Sequence, residues 1–540
     1  MPTLEWLGKD KVVNHHQEVP YRVLDCQYSY DETGQHAEDN GSENMIIHGD
    51  NLEALKALLP RYEGKVKCIY IDPPYNTGNE GWVYNDNVND PKIKKWLGEV
   101  VGKEGEDLSR HDKWLCMMYP RLKLLQKLLA KDGIIFVSID DNEESNLKAI
   151  CAEIFGARNY ITSFIWRKVD SPNDNKVAIT PDHEYVIAYA KSIDTISLLQ
   201  MPAPDIVKAY GQVGTDGRRY RDRLLKKNGK NSLRRDRPTM FFPIIAPDGT
   251  EVFPIHDNGE EARWAMGKDG VAKQIAAGTL VWKKRMRNGV ECWEPYTREY
   301  APDTPTRPYP SIWSDLPTMR QAKAVLRKVF QTTDLFDTPK PSELIERILY
   351  MLGDINALVL DSFAGSGTTA QAVLDMNKVD GGNRRFILVE MMEYADSITA
   401  ERVKRVINGY GEGKKAVEGS GGNFSYYELG PVLLLSDGNL NEEVGVEKIR
   451  EYVYYMETKE TLPTEQSKCD SYFMGLCRNT AYYFYYERES VTTLDYSFLA
   501  SIQTKAEGYT IYADLCTIPQ ETLRKHNIIF KKIPRDIARL

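Results

Sequence analysis

The sequence predicts an α/β protein: a parallel sheet with crossover helices, interrupted by an inserted region and followed by a mixed α+β part. Three observations predict it. Apolar runs of strand length alternate with segments of helical spacing between residues 44 and 190. The same alternation returns after residue 340, where a Gly-rich turn follows a strand. Between the two stretches Pro, Gly and charge are frequent and no such alternation is visible.

Taken in order, residues 1–43 are polar and irregular and read as an N-terminal arm. Met45-Ile46-Ile47-His48 reads as a short buried strand ending in the turn Gly49-Asp50. Residues 52–59 have helical spacing, with Asn51 as the expected N-cap. Val66-Lys67-Cys68-Ile69-Tyr70-Ile71 is a second strand, closed by Asp72-Pro73-Pro74. A long helix over 114–130, a strand over 133–139 and a helix over 142–155 complete the first half. Residues 218–237 hold ten Lys or Arg and two Asp in twenty positions, and Trp282-Lys283-Lys284-Arg285-Met286-Arg287 is a second basic cluster. In the second half, 342–352 is helical and 357–361 is a strand; the glycine turn and a helix to about 377 follow, then a strand over 386–390. From about 425 the chain is Tyr-rich, which suits either an aromatic core or an interface.

Composition narrows the function. Hydrophobic residues make up 42% and charged residues 27%, an ordinary folded profile that excludes disordered, collagen-like and coiled-coil proteins. The 70 Lys and Arg against 78 Asp and Glu give a net charge of −8, so a nucleic-acid site must be a local basic patch. Mean hydropathy is −0.48, no apolar run has membrane-spanning length, and the start lacks the pattern of a signal peptide. The eight cysteines form no CxxC pair and the histidines no HExxH, so the expectation is a reduced, cytoplasmic chain without a metal site.

Asp72-Pro73-Pro74-Tyr75 closes a strand, where ligands of open parallel sheets bind. The prolines stiffen the turn and donate nothing to neighbouring carbonyls. Asp offers a strong acceptor and Tyr a flat face, a combination that can grip a planar molecule carrying an exocyclic amine. Taken alone, the tetrapeptide is equally an ordinary Pro-rich turn. Phe363-Ala364-Gly365-Ser366-Gly367 follows a strand and opens a helix, so its glycines let a ligand approach the backbone. No Lys follows Gly367, which argues against an ATP-phosphate loop. Glu390, ending the next strand, suits a ribose hydroxyl pair. Alone, this too is a generic nucleotide-fold turn.

Together these motifs resemble the amino-methyltransferases of DNA, in the order of their β class: catalytic motif, insertion, cofactor loop. Gly49-Asp50-Asn51, Trp166-Arg167-Lys168, Pro339-Lys340-Pro341 and Leu388-Val389-Glu390 agree with that class. Asp72-Pro73-Pro74-Tyr75-Asn76-Thr77-Gly78 with Phe336-Asp337-Thr338-Pro339-Lys340-Pro341 resembles the modification (Mod) subunits of type III restriction systems. His183-Glu184-Tyr185 resembles the end of the first catalytic half; a nuclease reading of Pro181-Asp182 with Glu184 fails on its Lys spacing.

The resemblance implies a circularly permuted, Rossmann-like S-adenosylmethionine-dependent methyltransferase sheet. Its halves would be 44–190 and 311–424, with a target-recognition domain at 191–310 and a C-terminal domain at 425–540. It implies adenine-N6 methylation of a flipped-out base in double-stranded DNA. Asp72 and the Pro73 carbonyl would hold the amine, with Pro74 in the turn and Tyr75 stacked on the base. The implied cofactor residues are Asp50, Asp361, Phe363, Gly365, Ser366, Gly367, Thr368 and Glu390, with Lys340 for the methionine carboxylate. In the basic run, Arg218, Arg219, Arg221, Arg223, Lys226, Lys227, Arg234 and Arg235 would contact phosphates. A homodimer and a separate Res subunit are the implied partners, in a bacterial or phage setting, and no membrane is involved. The competing readings are cytosine-N4 methylation, in which Ser more often replaces Asp72; RNA methylation; and a non-catalytic specificity subunit. A self-contained restriction enzyme fails, because the sequence holds no helicase motifs.

Overall fold

The computed structural model describes residues 3–77, 110–171, 179–287, 289–332, 335–463 and 471–535. They form two compact units: residues 1–199 with 310–540, and the segment Gln200–Tyr309.

The first unit is organised on one sheet of eleven strands. In chain order they are β1 (Arg22–Asp31), β2 (Gly34–His36), β3 (Met45–His48), β4 (Val66–Ile71), β5 (Leu129–Ile139), β6 (Tyr160–Arg167), β7 (His183–Ala190), β8 (Ile312–Trp313), β9 (Leu358–Asp361), β10 (Arg385–Glu390) and β11 (Asn423–Val432). Their order across the sheet is β8-β6-β7-β5-β4-β9-β10-β3-β11-β1-β2. The strands from β5 to β11 by way of β4, β9, β10 and β3 run parallel. β7 is antiparallel to both β5 and β6, and β1 is antiparallel to β11.

The central strands are continuous apolar runs because both of their faces are covered. Ile69, Ile71, Ile135, Val137, Leu358, Leu360, Ile387 and Val389 share one face and one core with the helices Asn51–Tyr62 and Arg110–Leu128. β4 and β9 are neighbours, with Val359 beside Cys68 and Leu360 beside Ile69. From β4 the chain crosses to β5 on one side; from β9 it crosses to β10 on the other. The carboxyl ends of β4 and β9 therefore flank a topological switch point, where such sheets leave a crevice.

The N-terminal residues depart from the expected arm. Trp6, Val12 and Val19 join the main core, and β1 lies near the sheet edge. Two register shifts, between Arg22 and Leu24 and between Cys26 and Tyr28, break the alternation that marks a strand in sequence. The strand β11, expected near the start of a separate C-terminal domain, is shared with the main sheet. Beyond it lie the helix Val446–Thr458 and a four-stranded sheet, Phe473–Cys477, Thr480–Phe484, Gly508–Ala513 and Ile528–Lys532. Tyr454, Tyr455, Tyr483 and Tyr486 are buried, so these tyrosines serve the core.

The second unit holds a four-stranded antiparallel sheet in the order Leu280–Arg287, Val290–Tyr300, Arg219–Leu224, Gln212–Val213. Its small core is Leu225, Phe242, Ile244, Trp264 and Val271. Among the described residues no helix is long and apolar enough to cross a membrane.

Candidate active site

The turn after β4 is fixed by its own residues. The Trp114 indole donates to the Pro74 carbonyl at 2.7 Å, while the Pro73 carbonyl has no donor among the described residues. Asn76 adopts a left-handed φ of 60° and donates through Nδ2 to the Arg110 carbonyl and to buried Glu143.

Four charged side chains then meet around the Tyr75 hydroxyl, which donates to Asp72 Oδ1 at 2.8 Å and to Glu184 Oε2 at 3.0 Å. Lys340 Nζ lies 2.9 and 2.7 Å from the two Asp72 oxygens and 3.4 Å from Glu184 Oε2. Lys168 Nζ donates to Glu184 Oε1 at 3.2 Å. The Lys340 ammonium also stands 5.0 Å from the Tyr75 ring centre. Two carboxylates are thus balanced by two ammoniums. Burial, opposed by Lys340 and reinforced by Glu184, holds the Asp72 carboxyl above its usual range. Burial also acts to raise Glu184, but Lys340 and Lys168 outweigh it and hold that group below the usual value.

The end of β9 forms the second half of the site. Asp361 accepts from the Phe363 amide at 3.0 Å and from the Thr369 hydroxyl at 2.6 Å. Gly365 and Gly367 have φ of 52° and 79°, which favours glycine. A Cβ on Gly367 would meet the Thr399 carbonyl at 3.0 Å. Glu390, ending β10, accepts the Gly365 amide at 2.7 Å and the Met392 amide at 3.0 Å. Burial pushes the Glu390 and Asp361 carboxyls up to about 7 despite these hydrogen bonds. The Ser362 hydroxyl is buried without a hydrogen-bond partner, an orphaned polar group beside the glycine turn.

Several expected residues take other positions. Asp50, not Asn51, caps the helix Asn51–Tyr62: its Oδ1 accepts from the Leu52 and Glu53 amides. Its other oxygen lies 3.3 Å from Arg121. Asn51 instead donates to the Ser362 carbonyl at 3.1 Å, tying the end of β3 to the glycine turn. The Ser366 and Thr368 hydroxyls, expected to line a cofactor pocket, are held by buried Arg402 at 2.8 and 2.7 Å. Lys340, expected on a cofactor carboxylate, is the counter-ion of Asp72. Glu184 and Lys168, given no role from sequence, join the Asp72 cluster because Trp166 pairs with Glu184 across β6 and β7. The only sequence signal for them is their place in the motifs at 166–168 and 183–185.

The basic run is largely neutralised within its own unit. Arg218 pairs with Asp216, Arg221 and Arg223 with Glu299, and Arg234 with Glu261. Lys226 is buried and bound to Glu294, which removes it from phosphate contact. Arg219 and Arg235 are exposed and Lys227 half-buried, none with an ion pair among the described residues.

Comparison with known proteins bears on this geometry. Residues 66–401 match the DNA methylase family of N6 and N4 enzymes. The Mod subunit of the type III restriction-modification enzyme EcoPI from Escherichia phage P1 is 33% identical over 72% of this chain and 64% of its own length. The corresponding StyLTI Mod subunit from Salmonella typhimurium is 31% identical over 75% of this chain and 62% of its own length. The chain thus spans under two thirds of the length of these two relatives. The type II methyltransferase M.KpnI from Klebsiella pneumoniae is 32% identical over 67% of this chain and 84% of its own length.

Proposed function

The chain belongs to the DNA methylase family, and we propose that it transfers a methyl group from S-adenosylmethionine to the N6 amine of adenine in double-stranded DNA. The observation that carries this reading is the adjacency of β4 and β9, which brings the Asp72 turn and the glycine turn to one crevice. S-adenosylmethionine, when bound, supplies an electrophilic methyl on a sulfonium. Glu390 would take its ribose hydroxyls, with Asp361, Phe363, the Gly365–Gly367 backbone and Asp50 around the adenosine. The orphaned Ser362 hydroxyl and the left-handed glycine turn at 365 and 367 fit such a ligand.

The exocyclic amine of adenine is a weak nucleophile because its lone pair is delocalised into the ring. Asp72 accepts one N–H and the Pro73 carbonyl the other, which favours a pyramidal nitrogen with its lone pair available. Asp72 must give up part of its hold on Lys340 and Tyr75 to do this. Lys340 and Lys168 keep Glu184 charged, so the cluster stays neutral when the base arrives. The target base is reached by flipping, at a cost of a few kcal/mol. Stacking on Tyr75 offsets about 1–3 kcal/mol of that.

The unit Gln200–Tyr309 is the target-recognition domain in this reading, with Arg219, Lys227 and Arg235 as its available phosphate contacts. Similarity to two Mod subunits supports a role as the modification and specificity subunit of a type III system; a homodimer and a separate Res subunit are the partners this proposal carries. A bacterial cytoplasmic, nucleoid-associated location goes with that role. The test is single-molecule sequencing of DNA from cells expressing the protein, with Asp72→Ala as control. N6-methyladenine at every copy of one short motif, absent in the control, is the expected result. N4-methylcytosine would overturn the base assignment, and no modification would overturn the activity.

A further inference from the structure

Away from the strand ends, the first unit contains a cavity of about 540 Å³ lined by residues of the N-terminal segment, the helix Asn51–Tyr62 and the helix Val446–Thr458. Three lysines converge on it: Lys56, Lys127 and Lys459. Lys56 is 6% exposed. Its ammonium donates to the His16 and Gln17 carbonyls at 3.0 and 3.1 Å and lies 4.8 Å from the Tyr21 ring centre. None of the three has an ion-pair partner among the described residues. Two carboxylates, Glu18 and Glu63, also line the cavity: Glu18 lies 3.8 Å from His15, and Glu63 accepts the hydroxyl of Tyr455, another lining residue.

Three ammoniums against two carboxylates leave the lining net positive, and Lys56 is buried without an ion pair among the described residues, which points to a further anion in the cavity. Two neighbouring groups register the positive field. Burial, then Lys127 and Lys459, pushes the Lys56 ammonium down to about 8. Burial, then Lys127, Lys123 and Lys56, pushes the His16 imidazole down to about 4. The cavity is far larger than a lone inorganic anion and has the size of an organic ligand pocket. Part of its wall is aromatic and apolar, with Tyr21, Tyr452 and Leu434. Phosphate suits lysine point charges, and a flat base suits tyrosine rings.

We propose that this cavity binds a nucleotide, its phosphates among Lys56, Lys127 and Lys459 and its base against Tyr21 and Tyr452. The site shares no residue with the Asp72 cluster or the glycine turn. The same chemistry is offered by a free nucleotide and by the end of a nucleic-acid strand.

The test is calorimetric titration of the whole chain with uridine diphosphate, whose pyrimidine does not mimic the adenosine of the cofactor, in saturating S-adenosylmethionine. One site with Kd at or below about 1 mM is expected. Lys459→Gln and Lys127→Gln should each weaken it roughly tenfold while cofactor affinity stays constant. Lys56→Met should weaken it further if that variant folds; the Lys459 and Lys127 variants decide the matter if it does not. A short single-stranded oligonucleotide that displaces the nucleotide assigns the source to nucleic acid, and failure to displace it assigns a free nucleotide. Three results overturn the inference: no binding, binding unchanged in both glutamine variants, or inorganic phosphate binding as tightly as uridine diphosphate. Binding of a poly-glutamate peptide in place of the nucleotide would also overturn it, in favour of a protein partner.

Discussion

Lys340→Met removes the ammonium from Asp72 while keeping an apolar stem of similar length. The two carboxylates would then face Lys168 alone. At 2.7–2.9 Å and an effective dielectric constant of about 20, the lost attraction is about 6 kcal/mol. Lys340 also serves Glu184, and the Asp72 side chain is 20% exposed, so water will replace part of the loss. Halving the figure leaves about 3 kcal/mol, or about two pKa units. The sign follows from Asp72 acting as a carboxylate. Burial already holds it above its usual range, and losing a cation raises it further. The variant should therefore transfer methyl groups slowly at neutral pH and recover as pH rises, its acid limb moved about two units toward alkali. The assay is single-turnover methyl transfer from labelled S-adenosylmethionine to unmethylated DNA across the pH range. Lys340→Arg, which keeps the charge, should leave the limb near its original place. An unshifted limb together with a large rise in cofactor Kd would refute this reasoning and return Lys340 to the cofactor carboxylate.

Other expectations follow from the same geometry. Glu390 sits at about 7 against an ordinary 4.5, so its raised value adds stability at acid pH that is lost as pH rises through 7. Ribose hydroxyls need the ionised form, so cofactor affinity should climb by up to about tenfold per pH unit on the acid side of 7 and level off above it; calorimetry should show this, and a flat profile in the unaltered protein would exclude Glu390 from cofactor binding. Tyr75→Phe keeps the stacking face but loses the bonds to Asp72 and Glu184, whereas Tyr75→Ala loses both. The alanine change should weaken capture of a fluorescent adenine analogue at the target by about 1–3 kcal/mol more than the phenylalanine change, and equal losses would mean the ring does not stack. Arg235→Ala should lower DNA affinity at all sequences and reduce the salt slope by about one. Lys226→Ala should leave that slope unchanged, since its ammonium is bound to Glu294, and should instead lower the melting temperature.

What could be read from sequence and what could not divide along a physical line. β3, β4, β9 and β10 are legible because a strand buried on both faces is an uninterrupted apolar run. The Asp72 and glycine turns are legible because each motif is contiguous and follows such a run. In sequence the helix cap reads as Asn51, one residue past the observed Asp50, because Asp and Asn are equally good caps and stand side by side. β1 hides because its register breaks twice and its partner β11 (Asn423–Val432) lies far along the chain from it. The basic run misleads for a related reason. Its excess charge is visible locally, but the Glu299, Glu294 and Glu261 carboxylates that neutralise it come from other segments.

The site's chemistry lies in the part that could not be read. Asp72 and Tyr75 come from one turn, but Glu184 comes from β7, Lys168 from just past its antiparallel neighbour β6, and Lys340 from beyond the inserted unit. The insertion between β7 and β8 does not disturb this assembly, because the β4–β9 pairing is indifferent to how the two strands are joined. Closing a long connection costs little more than closing a short one, since the entropy grows only with the logarithm of its length. A permuted order, with the Asp72 turn ahead of the glycine turn, is therefore compatible with one continuous sheet. If the insertion is the target-recognition unit, as proposed, it can vary in DNA preference while Lys340 and Asp72 keep their contact. Exchanging Gln200–Tyr309 for the corresponding unit of a relative should change the methylated sequence and leave the pH profile of transfer where Lys340 sets it. A shifted profile would mean that the inserted unit takes part in the chemistry as well as in recognition.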